Sequence, residues 1–259
     1  MKTVITTAGR TNPEYTRVAK DIAADLCINF IDRNKKSVEK IQNEQLADVL
    51  VVGKERLEFF AYGSTTPFFF HPNSAAFRLK RLLKAGKDPF LEATGLKLGE
   101  RFLDTTAGLC SDSLIAAYTV GDPGKVVALE KEKMIAYIIN RGLKSYETDF
   151  SELENSMRRI QVIHQDAVDF LKTVKDNSFD VVYMDPMFEE EIAESNNFQA
   201  LREIGAIGTL YTEWVEQAKR VAKKRVVLKA HFRSPMFEDF GFTRLTRLSS
   251  KFHYGIIEV

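Results

Sequence analysis

Strand-like and helix-like segments alternate along almost the whole chain, which predicts an α/β protein with a mostly parallel sheet covered by helices. Two further observations sharpen this. The last two strand-like segments, residues 242–248 and 252–259, are separated only by Ser249-Ser250-Lys251, so they pair antiparallel as a C-terminal hairpin. The sequence also changes character near residues 65–84, where an aromatic, proline-rich stretch and a basic helix mark a boundary. A small α/β N-terminal module is expected over residues 1–73 and a larger sheet-bearing domain over residues 74–259.

In the first module, residues 3–7 read as a strand. Residues 13–26 read as a helix, with Asn12 as its N-cap and Pro13 in the first position, where a missing N–H is harmless. A short strand over 28–31, a helix over 37–45, a strand over 48–52 and an extended run over 57–62 follow. Residues 65–72 form no regular element. Their consecutive Phe68, Phe69 and Phe70 either pack in a core or stack on the bases of a single-stranded RNA. The helix over 74–84 carries Arg78, Lys80, Arg81 and Lys84, a pattern that serves either a solvated face or one that meets phosphates.

The larger domain holds seven strand-like segments: 101–104, 125–130, 160–164, 179–184, 225–229 and the two hairpin strands. Helical patterns fall between them at 113–118, 133–141, 167–174 and 208–221. Residues 147–158 are polar and acidic, as in a surface insertion or a helix extension, and a polar loop runs from the fourth strand to about residue 200.

With 259 residues, 44% of them hydrophobic and 28% charged, the chain is long enough to bury a substantial core. A formal net charge of +1 excludes a protein that wraps bare nucleic acid by charge alone, so any such contact needs a local patch. Two cysteines, Cys27 and Cys110, make no disulfide framework. The N-terminus lacks the apolar core of a signal peptide, and no apolar run spans a bilayer. A cytoplasmic protein without membrane contact is expected. Four histidines, none at ligand spacing, leave no metal site to expect.

The chemistry-bearing residues gather at strand ends. The first strand of the larger domain runs through Asp104 into Thr105-Thr106-Ala107-Gly108-Leu109-Cys110-Ser111-Asp112 and a helix. Small residues and one glycine let backbone approach a ligand, although neither a G-x-G-x-x-G fingerprint nor a P-loop is present. Glu130 ends the second strand, where a carboxylate can accept both ribose hydroxyls of a nucleoside. Asp166 follows the third strand and can accept from an adenine amine. Asp185 follows the fourth. One carboxylate at a strand end can equally be a helix N-cap. Four on successive strands line the edge at which open α/β sheets bind ligands. Asp185-Pro186-Met187-Phe188 is either a plain strand-ending turn or a device for a planar group with an exocyclic amine: Asp185 accepts from the amine and Phe188 stacks on the ring.

These features resemble a class I S-adenosylmethionine-dependent methyltransferase with a Rossmann-like seven-stranded sheet. More narrowly, several segments resemble the bacterial family that methylates a guanine N2 in small-subunit ribosomal RNA, methyltransferase J. They are Asp88-Pro89-Phe90, Leu103-Asp104-Thr105-Thr106-Ala107-Gly108-Leu109, Leu129-Glu130-Lys131, Val181-Val182-Tyr183-Met184-Asp185-Pro186-Met187-Phe188 and Arg225-Val226-Val227-Leu228-Lys229. The likeness runs from about Phe77 to the C-terminus and does not reach residues 1–62. It implies S-adenosyl-L-methionine as cofactor, held by Asp104, Thr106, Ala107, Gly108, Asp112, Glu130, Lys131 and Asp166. It implies Asp185, Pro186 and Phe188 as catalytic residues, and an RNA substrate, ribosomal, contacted by Arg78, Arg81, Met187 and Lys229. Met187 is either a spacer or a soft wall. The chain departs from the family's usual pattern at Cys110-Ser111 (commonly Gly-Arg), at Lys131-Glu132-Lys133 (commonly Arg-Asn-Pro) and at Glu189 (commonly proline), while Asp104, Gly108 and Glu130 are retained. Two other readings stand beside this one: a methyltransferase for a different base or a protein, and a non-catalytic nucleoside- or RNA-binding module.

Overall fold

The computed structural model describes residues 2–10, 12–54, 56–186, 206–248 and 250–259. The chain divides into two units, Met1–His71 and Pro72–Val259. In the first, the order is β1 (Thr3–Thr7), α1 (Pro13–Leu26), β2 (Asn29–Phe30), α2 (Val38–Gln45), β3 (Asp48–Val52) and β4 (Leu57–Phe60). The sheet order is β2-β1-β3-β4, with β1 parallel to β2 and β3, and β4 antiparallel to β3. Local chemistry sets the helix bounds. The Asn12 side chain accepts from the Tyr15 N–H and Ser37 from the Lys40 N–H, while Cys27 and Leu46 close the two helices in the left-handed region. Val4, Ile41, Ala47, Val49 and Val51 form this unit's own core. The three phenylalanines have separate fates. Phe68 pairs with Phe59 through two 2.8 Å backbone bonds, the Arg56 guanidinium lies 3.7 Å above the Phe69 ring, and Phe70 is buried.

The second unit begins with α3 (Asn73–Ala85) and α4 (Pro89–Thr94). It continues with β5 (Arg101–Asp104), α5 (Ser111–Val120), β6 (Lys125–Glu130), α6 (Lys133–Ser145), α7 (Ser151–Arg159), β7 (Ile160–His164), α8 (Ala167–Thr173) and β8 (Phe179–Met184). Then come α9 (Ala206–Val221), β9 (Ala222–His231), a short α10 (Met236–Asp239), β10 (Thr243–Leu245) and β11 (Phe252–Glu258). The seven strands are ordered β10-β11-β9-β8-β5-β6-β7. The five from β5 to β9 are parallel, and β11 is antiparallel to both its neighbours. The Rossmann-like sheet with its terminal hairpin is therefore present. The chain leaves β5 for β6 and β7 on one side and returns to β8 and β9 on the other, so the loop after β5 sits at a topological switch point, where such sheets bind ligands.

Apolar strands make both faces of this sheet core. Leu103, Val127, Leu129, Val182, Val226 and Leu228 pack with Trp214, Val215 and Ala218 of α9 and with Leu171 of α8. Phe90, Phe102 and Tyr183 form an aromatic cluster with ring centroids 5.3–5.9 Å apart. In β11, a Cβ on Gly255 would lie 2.7 Å from Phe237 and 2.8 Å from Phe242, so only glycine fits beneath those rings. Several elements differ from expectation, among them the unexpected short helices α4 and α10. Residues 147–158 contain a helix, α7, because Leu153 and Met157 supply an apolar face at helical spacing. The first hairpin strand shrinks to Thr243–Leu245, since Phe242 turns into the core against Phe237.

Candidate active site

The loop after β5 is fastened to both neighbouring strands. The Thr105 N–H and hydroxyl donate to the Tyr183 carbonyl of β8 at 2.9 and 2.7 Å, and the Ala107 N–H donates to Leu129 of β6 at 2.8 Å. Gly108 has φ 48° and Cys110 φ 56°, so the chain turns tightly into α5. Among the described residues, a Cβ on Gly108 would meet only the Thr106 carbonyl, at 3.9 Å, which leaves room there for a ligand. Asp104 anchors the loop from below: one oxygen accepts from the Thr106 N–H at 3.0 Å and the other from the Ser113 hydroxyl at 2.6 Å. Burial pushes its pKa up to about 7 against those bonds, and the charges of Asp112 and Asp185 add to the push.

Beside this loop lies a buried chain of charges. Asp112 accepts from Arg78 Nη1 at 2.6 Å, from the Tyr183 hydroxyl at 2.8 Å and from Lys229 Nζ at 3.3 Å. Lys229 Nζ also donates to Asp185 Oδ2 at 2.6 Å, and Arg78 continues to Asp88 through two bonds of 2.9 and 3.1 Å. The β8–β9 register makes the bridge: Met184 pairs with Leu228, which leaves Asp185 and Lys229 side by side at the strand ends. Burial opposes ionisation of Asp112, but Lys229, Arg78 and the Tyr183 O–H outweigh it and hold its pKa at about 2. Burial raises the pKa of Asp185, with Lys229 countering and Asp112 adding to the rise. Burial acts to lower that of Lys229, yet the two carboxylates carry it above its ordinary value, so the ammonium stays charged. The Asp185 N–H donates to Thr106 Oγ1 at 2.9 Å, which ties this turn to the loop after β5.

The other side of the switch point is more open. Glu130 ends β6 half-buried. Burial raises its pKa, while N–H groups of Glu132, Gly108 and Lys131 hold it down in part. Lys131 is exposed, and its carbonyl lies 3.0 Å from His164 Nε2. Asp166 is exposed and caps α8, accepting from the Val168 and Asp169 N–H groups at 2.9 and 3.3 Å.

The structure thus brings Asp104, Thr106, Ala107, Gly108, Asp112, Asp185, Pro186 and Lys229 to one edge, with Glu130, Lys131 and Asp166 on the adjoining strand ends. Met187 and Phe188 lie outside the described residues. Arg78 requires a correction. It was expected on a face that meets phosphates, but its side chain is only 19% exposed and is committed to Asp88 and Asp112. Arg81 stands at the rim, 58% exposed, 3.4 Å from Asp88. Sequence reasoning passed over Ser113, Asp88 and Tyr183. A tyrosine among the buried Val181, Val182 and Met184 of β8 was the available signal, because a buried phenol needs a partner.

A glycine-bearing loop at the switch point, with a half-buried carboxylate on the next strand, suits a nucleoside whose ribose hydroxyls are donors and whose tail reaches the loop. Together with the seven-stranded sheet and its hairpin, this defines an S-adenosylmethionine-dependent methyltransferase. The chain belongs to the family described as "Putative SAM-dependent methyltransferase", which it matches over residues 34–247. Among its relatives, the uncharacterized protein YpiP of Bacillus subtilis (strain 168) is 44% identical over 255 residues, 98% of this chain and 99% of YpiP. Ribosomal RNA small subunit methyltransferase J of Acinetobacter baumannii (strain SDF) is 30% identical over 166 residues, so the match spans 58% of each chain. A crystal structure of a SAM-dependent methyltransferase from Neisseria gonorrhoeae shares the fold, with a TM-score of 0.66 and 17% identity over 99% of this chain and 96% of that one.

Proposed function

We propose that this methyltransferase acts on an exocyclic amine of an RNA base, and that the acceptor is guanine N2 of small-subunit ribosomal RNA. The observation that carries this reading is Asp185-Pro186 at the end of β8, fastened to the loop after β5 through Thr106 and held by Lys229. S-adenosylmethionine supplies a methyl group made electrophilic by its sulfonium. Glu130 would accept the ribose hydroxyls, Asp166 the adenine amine, and backbone at Thr106–Gly108 would line the methionine end. Asp185 and the Pro186 carbonyl would accept the two N–H bonds of the acceptor amine, which would localise its lone pair and fix its orientation at this edge. Once bound, the donor would supply the methyl group and keep the carbon–sulfur electron pair, and the acceptor amine would give up one proton to solvent. The Lys229 ammonium donates to Asp185 and opposes the rise that burial gives its pKa, which favours the accepting carboxylate. A base inside a helix cannot reach this edge, so the target is unpaired or flipped out.

The methyltransferase J relatives support the RNA substrate, as does the retained Asp185-Pro186-Met187-Phe188 sequence. The net charge of +1 and the partial span of those relatives favour, as the second reading, a different base or a protein acceptor. The test compares modified nucleosides in small-subunit ribosomal RNA from cells with and without this protein. It also supplies purified protein and cofactor with the unmodified RNA. N2-methylguanosine should vanish in the first arm and appear in the second. A different methylated nucleoside, or methyl transfer only to protein, overturns the assignment.

A further inference from the structure

The end of β9 and the start of β11 carry residues that the site above does not use. Phe232 and Phe252 are 37% and 38% exposed, although large aromatics prefer burial. They flank His231, whose ring centroid lies 4.5 Å from Phe232 and 6.1 Å from Phe252. Their positions are fixed by the sheet: Phe252 pairs with His231 in register, and the Phe232 N–H donates to the Lys251 carbonyl at 2.8 Å. The surroundings are basic. Residues 229–233 and 244–253 include Lys229, Arg233, Arg244, Arg247 and Lys251, with no aspartate or glutamate, in a chain whose net charge is only +1. Arg244 is engaged by Glu238 and by the Phe232 carbonyl, and the Arg247 guanidinium lies over the Tyr254 ring. Arg233 and Lys251 are exposed beside the rings, Arg233 with its guanidinium 5.1 Å from the Phe232 centroid.

This patch is continuous with the acceptor side of the active site. Lys229 Nζ lies 5.9 Å from the Phe252 ring centroid and 2.6 Å from Asp185. A flat, partly exposed ring joined through one lysine to the carboxylate proposed to hold the acceptor amine, and bordered by cations, has the makings of a single-strand stacking platform. We propose that Phe252 and Phe232 stack an unpaired base of the RNA next to the methylated nucleotide, while Arg233 and Lys251 meet its phosphates. This rests on the RNA reading above and extends it to a docking surface.

The test uses the full chain and two probes: unmodified small-subunit ribosomal RNA as methyl acceptor, and a short single-stranded RNA bearing 2-aminopurine, whose fluorescence falls on stacking. Phe252→Ala should raise KM for the ribosomal RNA about ten- to a hundredfold, the range of a lost base–aromatic stack, with kcat and cofactor affinity near those of the unaltered protein. It should abolish the fluorescence quenching, and Phe252→Tyr should restore both. Lys251→Glu should weaken binding and flatten its salt dependence. Unchanged KM and quenching in Phe252→Ala overturn the proposal. So does a loss of cofactor binding parallel to the loss of RNA binding, which would mark Phe252 as a support for Lys229. Quenching by the unaltered protein that depends on Phe252, without methyl transfer to any RNA, would sustain the docking surface and overturn the methyl-acceptor assignment. Displacement of nothing but an acidic polypeptide from this patch would overturn the surface as an RNA site.

Discussion

The two sides of the switch point are built on opposite principles. On the β8–β9 side, Asp88, Arg78, Asp112, Lys229 and Asp185 form a buried relay of alternating charge, with almost every carboxylate oxygen engaged by a cation or a hydroxyl. On the β6–β7 side, Glu130 and Asp166 stand half-buried or exposed and, among the described residues, accept hydrogen bonds from backbone N–H groups. Buried ion pairs add little net stability over apolar packing, but they impose one geometry, and breaking one is costly. Solvated carboxylates can exchange water for a ligand's hydroxyls at small cost. The first arrangement suits a group that must be aimed, and the second suits a nucleoside that must enter and leave.

The largest effect should follow from Lys229→Met. It removes the cation shared by Asp112 and Asp185 and leaves two buried carboxylates facing each other. Stability in denaturant titration should fall by about 3–5 kcal/mol, the cost of an orphaned buried charge, and methyl transfer should be lost. A Lys229→Met protein as stable as the original would show that the relay contributes no geometry.

That relay was only half legible in the sequence. Asp104, Glu130 and Asp185 stood out because each closes an apolar run, and Asp166 because it follows the next strand at the same edge. The basic helix was misread at Arg78 because charge counts do not say which face turns inward. Spacing did: Arg78 follows Ala75 by one turn and adjoins Leu79, both buried, whereas Lys80 and Arg81 point away. Helix α4 left a clear signal in Asp88-Pro89, an N-cap followed by proline in the first position. Its role as a clamp on Arg78 is a long-range pairing that no local pattern encodes. The register that sets Lys229 against Asp185 is tertiary in the same sense.

Asp104 and Asp112 respond to pH in opposite senses. Its folded pKa of about 7 lies above the ordinary aspartate value of 3.8, so the native state binds the extra proton between those limits. Its contribution to stability is therefore present at acid pH and is lost as pH rises from about 4 to about 7. Asp112, held at about 2, works the other way and loses its contribution only as pH falls below 3.8 toward 2. Asp104→Asn keeps an acceptor for the Thr106 N–H. It should leave stability near pH 4 little changed and raise it by roughly 2–4 kcal/mol at pH 8. Thermal melts at both pH values check this, and an equal shift at both would show that Asp104 does not titrate there.

Asp185→Ala tests the aiming directly. Transfer should fall by about a hundredfold or more, as expected when a reacting group loses its alignment. Cofactor affinity by calorimetry should hold, because the proposed partner of Asp185 is the acceptor amine. Parallel losses in both would move Asp185 to the cofactor. Glu130→Ala should behave conversely. It leaves ribose hydroxyls without an acceptor and should weaken cofactor binding by about 1–3 kcal/mol with melting temperature nearly unchanged. If Glu130→Ala bound cofactor as well as the unaltered protein, the open side would not be the nucleoside side.

The smallest effect distinguishes the two arginines of α3. Arg81 is 58% exposed and 3.4 Å from an Asp88 that is already claimed twice by Arg78. Exposed pairs of this kind contribute about 0–1 kcal/mol, so Arg81→Glu should barely move the melting temperature. If the outer face of α3 meets RNA phosphates, the same change should weaken RNA binding and lower its salt slope by about one counterion. Arg78→Glu would instead place a third carboxylate between Asp88 and Asp112 and should unfold the domain at temperatures where Arg81→Glu is intact. Binding titrations at several salt concentrations, run beside melts of both variants, separate the outcomes. An unchanged salt slope for Arg81→Glu would confine phosphate contact to other faces and leave α3 as the buried wall behind the relay.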